Sequence, residues 1–277
     1  MPSHKITPKN FILSMLQVSN KQAIPIKTLV ECGELFGFTG NTIRVTITRL
    51  IREGTIESDE RGLYRLSETK DLIRKFIDGW RLGEARIIPW DGTWISCLMP
   101  KQKASRLLRK GVKGLQFLGF QEGMPGFWIR PNNLKLRLSN IDEILQLLGN
   151  ASGYEIFLSK DFREKRILQW KTFLWPIQEL TRSLQVIHQK LQASANRLHK
   201  MPVENAIVES YLLGSEAVYC LNTDPLLPEE MMSGKYRIML TQTMLVYDDL
   251  GKKAWKKKFR NFQIQEVPSH LRLITGV

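Results

Sequence analysis

The chain has 277 residues, 43% of them hydrophobic and 25% charged, a composition typical of a folded protein with two or three domains. Its formal net charge of +14 favours a polyanionic partner, although charge alone does not separate DNA from RNA or an anionic membrane. No apolar run is long enough to span a bilayer, the first residues lack the layout of a signal peptide, and three scattered cysteines argue against a disulfide framework. These features predict a cytoplasmic protein with buried free thiols.

Two helices are predicted at the start of the chain. Apolar residues recur at helical spacing in Asn10–Val18, and a second helix is expected over Ile26–Phe36. Gly37 ends this second helix and leaves a turn that is short enough for a helix-turn-helix.

A third helix is predicted from Thr42 to Glu53, with Thr39 as its N-cap and Gly54 as the glycine that ends it. Its apolar residues recur at helical spacing and form one buried face: Ile43, Ile47, Leu50 and Ile51. Its other face is basic and polar: Asn41, Arg44, Val45, Thr48, Arg49 and Arg52. Major-groove reading needs this mixture, because arginine and asparagine reach base edges and threonine contacts phosphates or a thymine methyl.

A hairpin is predicted directly after this helix. Two short strands, Thr55–Ser58 and Leu63–Leu66, are joined by a charged turn, and the hairpin carries Arg61 and Arg65. Short amphipathic helices followed by hairpins also occur in domains that never touch nucleic acid. The short turn between the second and third helices, the basic hairpin and the basic chain together favour a DNA-binding winged helix-turn-helix over residues 1–68. A helical linker is predicted over residues 69–88.

Residues 89–160 are predicted to form a ferredoxin-like domain. Short strands and two helices follow each other in the order β-α-β-β-α-β between Pro89 and Leu158. Basic residues dominate positions 101–140, where Glu122 is the lone acid among nine lysines and arginines. Such a run is commonly a solvated face, and the sharper alternatives are a surface that follows phosphates or a pocket for an anionic ligand.

Residues 161–277 are predicted to form a helical domain. A heptad-like spacing of apolar residues over Ile177–Leu198 fits core packing better than subunit pairing. The lysine-rich segment Lys252–Arg260 is interpreted as a mobile solubilising tail, with a second nucleic-acid contact as the alternative.

The sequence shows no enzyme signature. None of the four histidines has metal-ligand spacing, and neither a phosphate-binding loop nor a nucleophile elbow is present. Asp91 has no nearby carboxylate partner, so a metal-dependent nuclease site is poorly supported. We expect no catalytic residues, no metal and no cofactor.

Several segments, kept in order along the chain, resemble the PaaX-like family of phenylacetate-degradation repressors. They are FTGNTIRVTITRLIREG, WDGTWISCLMP, LGFQEGMPGFWIRPNN and TDPLLPEEMM. The resemblance implies an α+β protein with an N-terminal winged helix-turn-helix. It also implies a middle ferredoxin-like domain similar to CRISPR adaptation endonucleases but inactive, and a helical C-terminal domain.

The resemblance further implies a homodimeric repressor that binds a palindromic double-stranded DNA operator and is released by phenylacetyl-CoA or another acyl-CoA. Its DNA contacts fall on Thr39, Asn41, Thr42, Arg44, Val45, Thr48 and Arg49, with Arg61 and Arg65 in the wing. Since CoA carries phosphates, a pocket with basic and aromatic side chains is required, and the candidates are Arg109, Lys113, Trp128 and Arg130. The alternative is a nucleic-acid-binding adaptor or architectural protein without an effector.

Overall fold

The structure is a computed structural model that describes residues 6–18, 23–59, 62–67, 76–99, 106–148 and 153–259. For Val18 and residues 106–109 it describes the backbone alone. The chain combines α-helices with two small antiparallel sheets, which confirms the predicted α+β class.

The N-terminal elements are three helices and three short strands. They are α1 (Pro8–Val18), β1 (Ile24–Pro25), α2 (Ile26–Glu34), α3 (Gly40–Arg52), β2 (Ile56–Ser58) and β3 (Leu63–Leu66). The strands form an antiparallel sheet in the order β1-β3-β2. The two strands of the predicted hairpin are therefore present, and a two-residue strand before α2 completes the sheet.

Gly54 ends α3 as the sequence predicts. Its φ is +60°, a left-handed conformation that glycine adopts without steric cost. The backbone N–H of Thr55 then donates to the Leu50 carbonyl at 2.9 Å, which closes the helix end with a bond of the Schellman type. This geometry turns the chain directly from α3 into the hairpin.

The middle of the chain begins with a 3-10 helix (Gly79–Arg86) and continues with four strands and two helices. They are β4 (Trp94–Leu98), α4 (Arg106–Phe117), β5 (Gln121–Met124), β6 (Phe127–Pro131), α5 (Leu138–Leu147) and β7 (Glu155–Ser159). The order β-α-β-β-α-β is the predicted one. All neighbouring strands are antiparallel, in the order β5-β6-β4-β7.

The central strand β4 is buried on both faces. Trp94, Ile95 and Cys97 are at most 1% exposed. The Trp94 ring packs against the rings of Trp170 and Trp175, with centroid separations of 5.7 and 6.4 Å. A tryptophan cluster thus covers one face of the sheet.

Four helices follow β7: α6 (Glu164–Phe173), α7 (Ile177–Leu198), α8 (Val203–Thr223) and α9 (Lys235–Lys258). The predicted use of the α7 leucines in core packing is confirmed for Leu184, Leu191 and Leu198, which are at most 4% exposed. The prediction of a mobile basic tail is wrong for residues 252–258, which form the last turns of α9. Trp255 holds them there, because its ring is 7% exposed and packs against Phe36.

Two compact units make up the chain. Unit 1 comprises residues 1–75, 189–216 and 243–277, and unit 2 comprises residues 76–188 and 217–242. The predicted domain boundaries near residues 68, 88 and 160 stay a prediction. Residues 69–75 of the predicted helical linker lie outside the described residues, and its later part contains the 3-10 helix Gly79–Arg86.

All three cysteine side chains are buried, as predicted. Burial raises the pKa of the Cys32 and Cys97 thiols to about 12, so both are neutral and unreactive at neutral pH. Within the described ranges, none of the helices is long and apolar enough to cross a membrane.

Candidate nucleic-acid interface

Helix α3 is fixed in unit 1 by a narrow buried stripe. Ile43, Ile47 and Leu50 are at most 2% exposed, because they lie at i, i+4 and i+7 on one side of the helix. The prediction that Ile51 belongs to this buried face is wrong: it is 39% exposed, because it lies about 100° around the helix from Leu50. Gly33 allows α2 to approach closely, since a methyl group added there would lie 3.0 Å from Ile43 Cδ1. The buried stripe leaves the opposite face of α3 at the surface.

The N-terminal end of α3 is capped as predicted. The Thr39 hydroxyl accepts a hydrogen bond from the Thr42 backbone N–H at 3.2 Å, and the two threonine hydroxyls lie 2.8 Å apart. The remaining free amides of the first turn face outward and carry the positive end of the helix dipole. The sequence Gly40–Arg52 holds no acidic residue to offset that charge.

The predicted base-reading side chains share the exposed face of α3. Val45, near the middle of the helix, is 61% exposed. The exposed side chains around it are polar or basic: Asn41, Arg44, Thr48, Arg49 and Arg52. The face therefore offers hydrogen-bond donors to base edges and phosphates, with one apolar group between them.

The two central arginines have different local surroundings. Arg49 Nε lies 3.8 Å from Glu53 Oε1, and Glu53 Oε2 lies 2.7 Å from Lys9 Nζ. These pairs are well exposed and thus weak, so Arg49 can exchange its carboxylate for another anion. The Arg44 guanidinium lies close to the first turn of α3. A methyl group added at Gly40 would lie 3.0 Å from its Nη1 atom.

The hairpin after α3 contributes one described arginine. Arg65 lies opposite Glu57 in the β2–β3 register, and its Nε is 3.3 Å from Glu57 Oε2. This cross-strand pair holds the Arg65 side chain along the hairpin. Arg61, the second predicted wing residue, lies outside the described residues.

The four residues predicted for an effector pocket have very different environments in unit 2. Lys113 is exposed on α4, whereas Trp128 and Arg130 on β6 are 6% and 2% exposed. The side chain of Arg109 lies outside the described part of the chain. The pocket role of these residues stays a prediction.

Arg130 serves as a bridge between two segments that the sequence keeps far apart. Its Nη1 donates to the Leu118 carbonyl, its Nη2 donates to the Pro225 carbonyl at 3.2 Å, and its Nε donates to the Pro131 carbonyl at 3.1 Å. Asn133 Nδ2 adds a bond of 2.7 Å to the Leu226 carbonyl. Burial lowers the pKa of Arg130 to about 9, while the Asp224 charge acts against that shift.

The WIRPNN and DPLLP motifs therefore meet in one buried network. A second arginine extends it: Arg237 Nη1 lies 3.0 Å from Asp224 Oδ1, and Arg237 Nε lies 2.6 Å from Glu84 Oε1. Burial alone would lower the pKa of Arg237, but the Asp224 charge and the Glu84 bonds outweigh it and raise the pKa. The sequence did not predict that Arg237 and Glu84 belong to this network. The one signal that could have indicated them is that these charged residues lie within apolar segments.

Asp91 belongs to a tight turn. The backbone N–H and the hydroxyl of Thr93 donate to Asp91 Oδ1 at 2.9 and 2.6 Å. These two bonds, the hydroxyl bond first, hold the pKa of Asp91 below its ordinary value. Across the residues that the structure describes, no group of three His, Cys, Asp or Glu residues is arranged to hold a metal ion.

A protein-family model matches the N-terminal region of the chain. Residues 7–70 match the model of a family described as PaaX-like protein, which confirms the resemblance over this region. A solved structure titled an uncharacterized protein, Rv0674, from Mycobacterium tuberculosis is similar with a TM-score of 0.56 and 19% sequence identity. That alignment covers 90% of this chain and 98% of that one, and at this identity it concerns the fold alone. No curated protein matches the chain.

Proposed function

On the basis of the PaaX-like match over residues 7–70, we propose that this chain is a transcriptional regulator that binds double-stranded DNA sequence-specifically. In this proposal α1, α2, α3 and the β2–β3 hairpin act as a winged helix-turn-helix, with α3 as the recognition helix. The order of these elements and the β1-β3-β2 sheet support it. The regulator acts as a repressor of an aromatic catabolic operon of the phenylacetate type.

The observation that carries the proposal is the exposed face of α3. Val45 is 61% exposed among arginine, asparagine and threonine side chains, and the helix sequence has no acidic residue. An apolar group beside hydrogen-bond donors matches the major groove, where a thymine methyl lies among base-edge acceptors.

Each side chain of this face receives a role from its chemistry. Arg44 and Arg49 donate to guanine O6 and N7, Asn41 pairs with adenine, and Val45 contacts a thymine methyl. Thr39, Thr42 and Thr48 lie where their side chains contact phosphates or sugars, which sets the register of the helix on the duplex. Arg65, and Arg61 in the same hairpin, contact the backbone beside the groove.

The remaining architecture follows the same proposal. Residues 89–160 form a ferredoxin-like domain, supported by the β-α-β-β-α-β order and the β5-β6-β4-β7 sheet. Residues 161–277 supply the C-terminal helices. The protein acts as a homodimer on a palindromic operator, so that two α3 helices enter successive major grooves.

We extend the proposal to an effector, phenylacetyl-CoA or another acyl-CoA, that releases the DNA. Of the four candidate pocket residues, Lys113 is the one whose described side chain is exposed and can pair with a CoA phosphate. The donors of Arg130 already bind carbonyl groups of the protein, so its substitution would change the fold before it changed ligand binding. Lys113→Gln is therefore the informative variant for effector binding.

Selection from a random duplex library with the full-length protein tests DNA recognition. Binding of the selected duplex is then compared with that of a scrambled duplex, with and without phenylacetyl-CoA. Release by the thioester, and not by free CoA or phenylacetate, supports the whole proposal. Specific binding that no thioester disturbs leaves the regulator and removes the effector.

A chain that binds the scrambled duplex as tightly as the selected one is an adaptor or architectural protein instead. The basic composition of the chain favours this alternative equally, since electrostatic attraction alone gives non-specific binding. The two functions differ in the ratio of the two affinities. A sequence-specific regulator typically prefers its site by at least about a thousandfold.

A further inference from the structure

The last two turns of α9 have two faces of different character. Gly251, Ala254 and Trp255 lie on a buried face, and Trp255 is 7% exposed. Lys253, Lys256 and Lys257 lie on the other face and are exposed. Because these three lysines are spaced i, i+3 and i+4, they form one continuous patch, which we call the lysine face.

The buried face of this helix end packs next to the start of the recognition helix within unit 1. The Trp255 ring stacks on the Phe36 ring with a centroid separation of 6.5 Å and an interplanar angle of 19°. Phe36 lies in the turn between α2 and α3, three residues before the N-cap Thr39. The end of α9 is thus held against the helix-turn-helix.

A lysine on the flank of the same helix end pairs with a carboxylate of α8. Lys258 Nζ lies 2.6 Å from Glu204 Oε1 at the start of α8. Its charge also reaches α2, where it partly opposes the rise that burial causes in the pKa of the Cys32 thiol. The lysine face is therefore part of an ordered helix whose opposite side packs on the turn between α2 and α3.

We propose that the lysine face binds the phosphate backbone of the duplex that α3 reads, as a second and sequence-independent contact outside the groove. The proposal rests on the proposed function, because it needs α3 to lie on duplex DNA. In a helix-turn-helix complex, the helix before the recognition helix crosses the phosphate backbone. The end of α9 lies beside that helix and so extends the backbone contact.

Phosphate binding explains the positions of these lysines better than stabilisation of the helix dipole does. Lysines in a final turn stabilise the negative end of the helix dipole, but this effect fades within one turn. Lys253 lies five residues before Lys258, the last helical residue, and is beyond that range. The acidic residues one turn earlier in α9, Asp248 and Asp249, lie 2.7 and 4.0 Å from the Nζ atom of Lys252, which is on the buried side of the helix.

The test replaces Lys253, Lys256 and Lys257 together by glutamine in the full chain. Glutamine keeps the helix propensity and the side-chain length while it removes the charge. Binding of the selected and the scrambled duplex is measured over a series of salt concentrations. Since each neutralised phosphate contributes about 0.9 to the slope of log K against log salt, the slope falls by about 2–3 on both duplexes.

Two matched variants separate a local contact from total charge. A triple glutamine variant at the exposed unit 2 residues Lys160, Lys165 and Lys235 removes the same charge elsewhere and leaves the slope unchanged. Arginine at the three positions of the lysine face keeps the charge and retains the slope of the original protein. Circular dichroism confirms that all three variants keep their helices.

The outcomes separate this inference from the proposed function. An unchanged slope in the glutamine variant, or an equal fall in the unit 2 variant, overturns the lysine contact while specific binding by α3 stands. A lower slope with no preference for the selected duplex supports the contact and overturns the sequence-specific regulator. A lower slope with an unchanged preference ratio supports both.

Discussion

At the scale of single residues, the arginines of α3 carry the first prediction. Arg44→Ala and Arg49→Ala each remove a group that we propose donates to a base edge. We expect each variant to lose about 1–3 kcal/mol of binding free energy on the selected duplex and clearly less on a scrambled duplex. Fluorescence anisotropy on both duplexes measures the difference.

Arg166→Ala is the matched control, because Arg166 is exposed on α6 in unit 2 and has the same charge. Equal losses on the two duplexes for both α3 arginines would show that they attract DNA without reading it. A loss of folded structure is not expected, since Arg44 and Arg49 are exposed.

Arg237 supports a second prediction at this scale. It pairs with Asp224, and both side chains are 2% exposed. Arg237→Met leaves the Asp224 carboxylate buried without its cation, so we expect the free energy of unfolding to fall by about 3–5 kcal/mol. Urea unfolding followed by circular dichroism gives this value.

Lys190→Met supplies the comparison for Arg237. Lys190 pairs with Glu216 at 2.8 Å, but the two side chains are 49% and 31% exposed. Solvent screens this pair, so its loss costs about 0–1 kcal/mol. Similar costs for the two substitutions would mean that the buried network around Asp224 does not stabilise unit 2.

The sequence revealed the residues of the α3 face but not those of the buried network. Periodicity separates Ile43 and Ile47 from Arg44 and Val45, because one helix turn decides which side chains are buried. Arg130 and Asp224 are 94 positions apart, and only the folded sheet brings them to the same place. A basic residue in an apolar strand is as consistent with a ligand contact as with a buried hydrogen-bond network. For this reason Arg130 was predicted to line the effector pocket.

At the scale of elements, the turn from α4 into β5 gives a third prediction. Gly119 has a φ of +81°, and a methyl group there would lie 2.9 Å from the Pro225 Cα atom. Gly119→Ala thus combines a strained backbone with a clash against another backbone segment. We expect it to lower the free energy of unfolding by about 3 kcal/mol or more, which urea unfolding measures.

Gly92→Ala isolates the backbone contribution. Gly92 has a similar φ of +84°, but a methyl group there would meet nothing within 4 Å. Its substitution costs about 1–2 kcal/mol through the left-handed conformation alone. If Gly119→Ala and Gly92→Ala lower the free energy of unfolding equally, the close approach of Pro225 to the turn does not contribute to the cost of the Gly119 substitution.

Local patterns predicted most elements, and the end of α9 shows where they fail. Capping and glycine signals place α3 within two residues of its predicted ends, since those signals act inside the helix itself. The segment Lys252–Lys258 has too few apolar residues for a helical period, so it reads as a tail. Its helix depends on Trp255 packing against Phe36, a contact that no local pattern encodes.

At the scale of the whole molecule, the ring cluster of unit 1 gives a fourth prediction. Tyr211 of α8 packs against Phe36 and Phe11 with centroid separations of 4.8 and 5.9 Å, and its hydroxyl bonds to the Ser14 hydroxyl. Tyr211→Ala should lower the free energy of unfolding of unit 1 by about 1–3 kcal/mol. Hydrogen exchange of the α1 and α2 amides should accelerate.

Two further variants define what that cluster contributes. Tyr211→Phe keeps the ring and loses the hydroxyl, at a cost of about 0.5–1.5 kcal/mol. Leu212→Ala changes the next residue of α8, which is 40% exposed, and should stay within about 0.5 kcal/mol of the original protein. Unchanged exchange of α1 in Tyr211→Ala would show that α8 does not support the helix-turn-helix.

The composition and charge of the chain indicated its class but not the way the chain is divided. The α+β class and the β-α-β-β-α-β order follow from patterns within short windows. Unit 1 joins residues 1–75 to residues 189–216 and 243–277, and this grouping depends on rings such as Phe36 and Tyr211 that lie far apart in sequence. Domain boundaries predicted from a sequence divide the chain into continuous segments, so they cannot describe a unit that consists of three separate segments.

The pairing of early and late segments in unit 1 also affects how the protein is made. Ser14 and Tyr211 are separated by 197 positions, which a ribosome working at about 5–20 residues per second covers in roughly 10–40 s. For most of that interval α1, α2 and α3 have already been synthesised, while the aromatic partners of Phe11 and Phe36 on α8 and α9 have not. Unit 1 is therefore completed only after α8 and α9 have been synthesised, and a transcript broken before codon 203 yields a chain without this support.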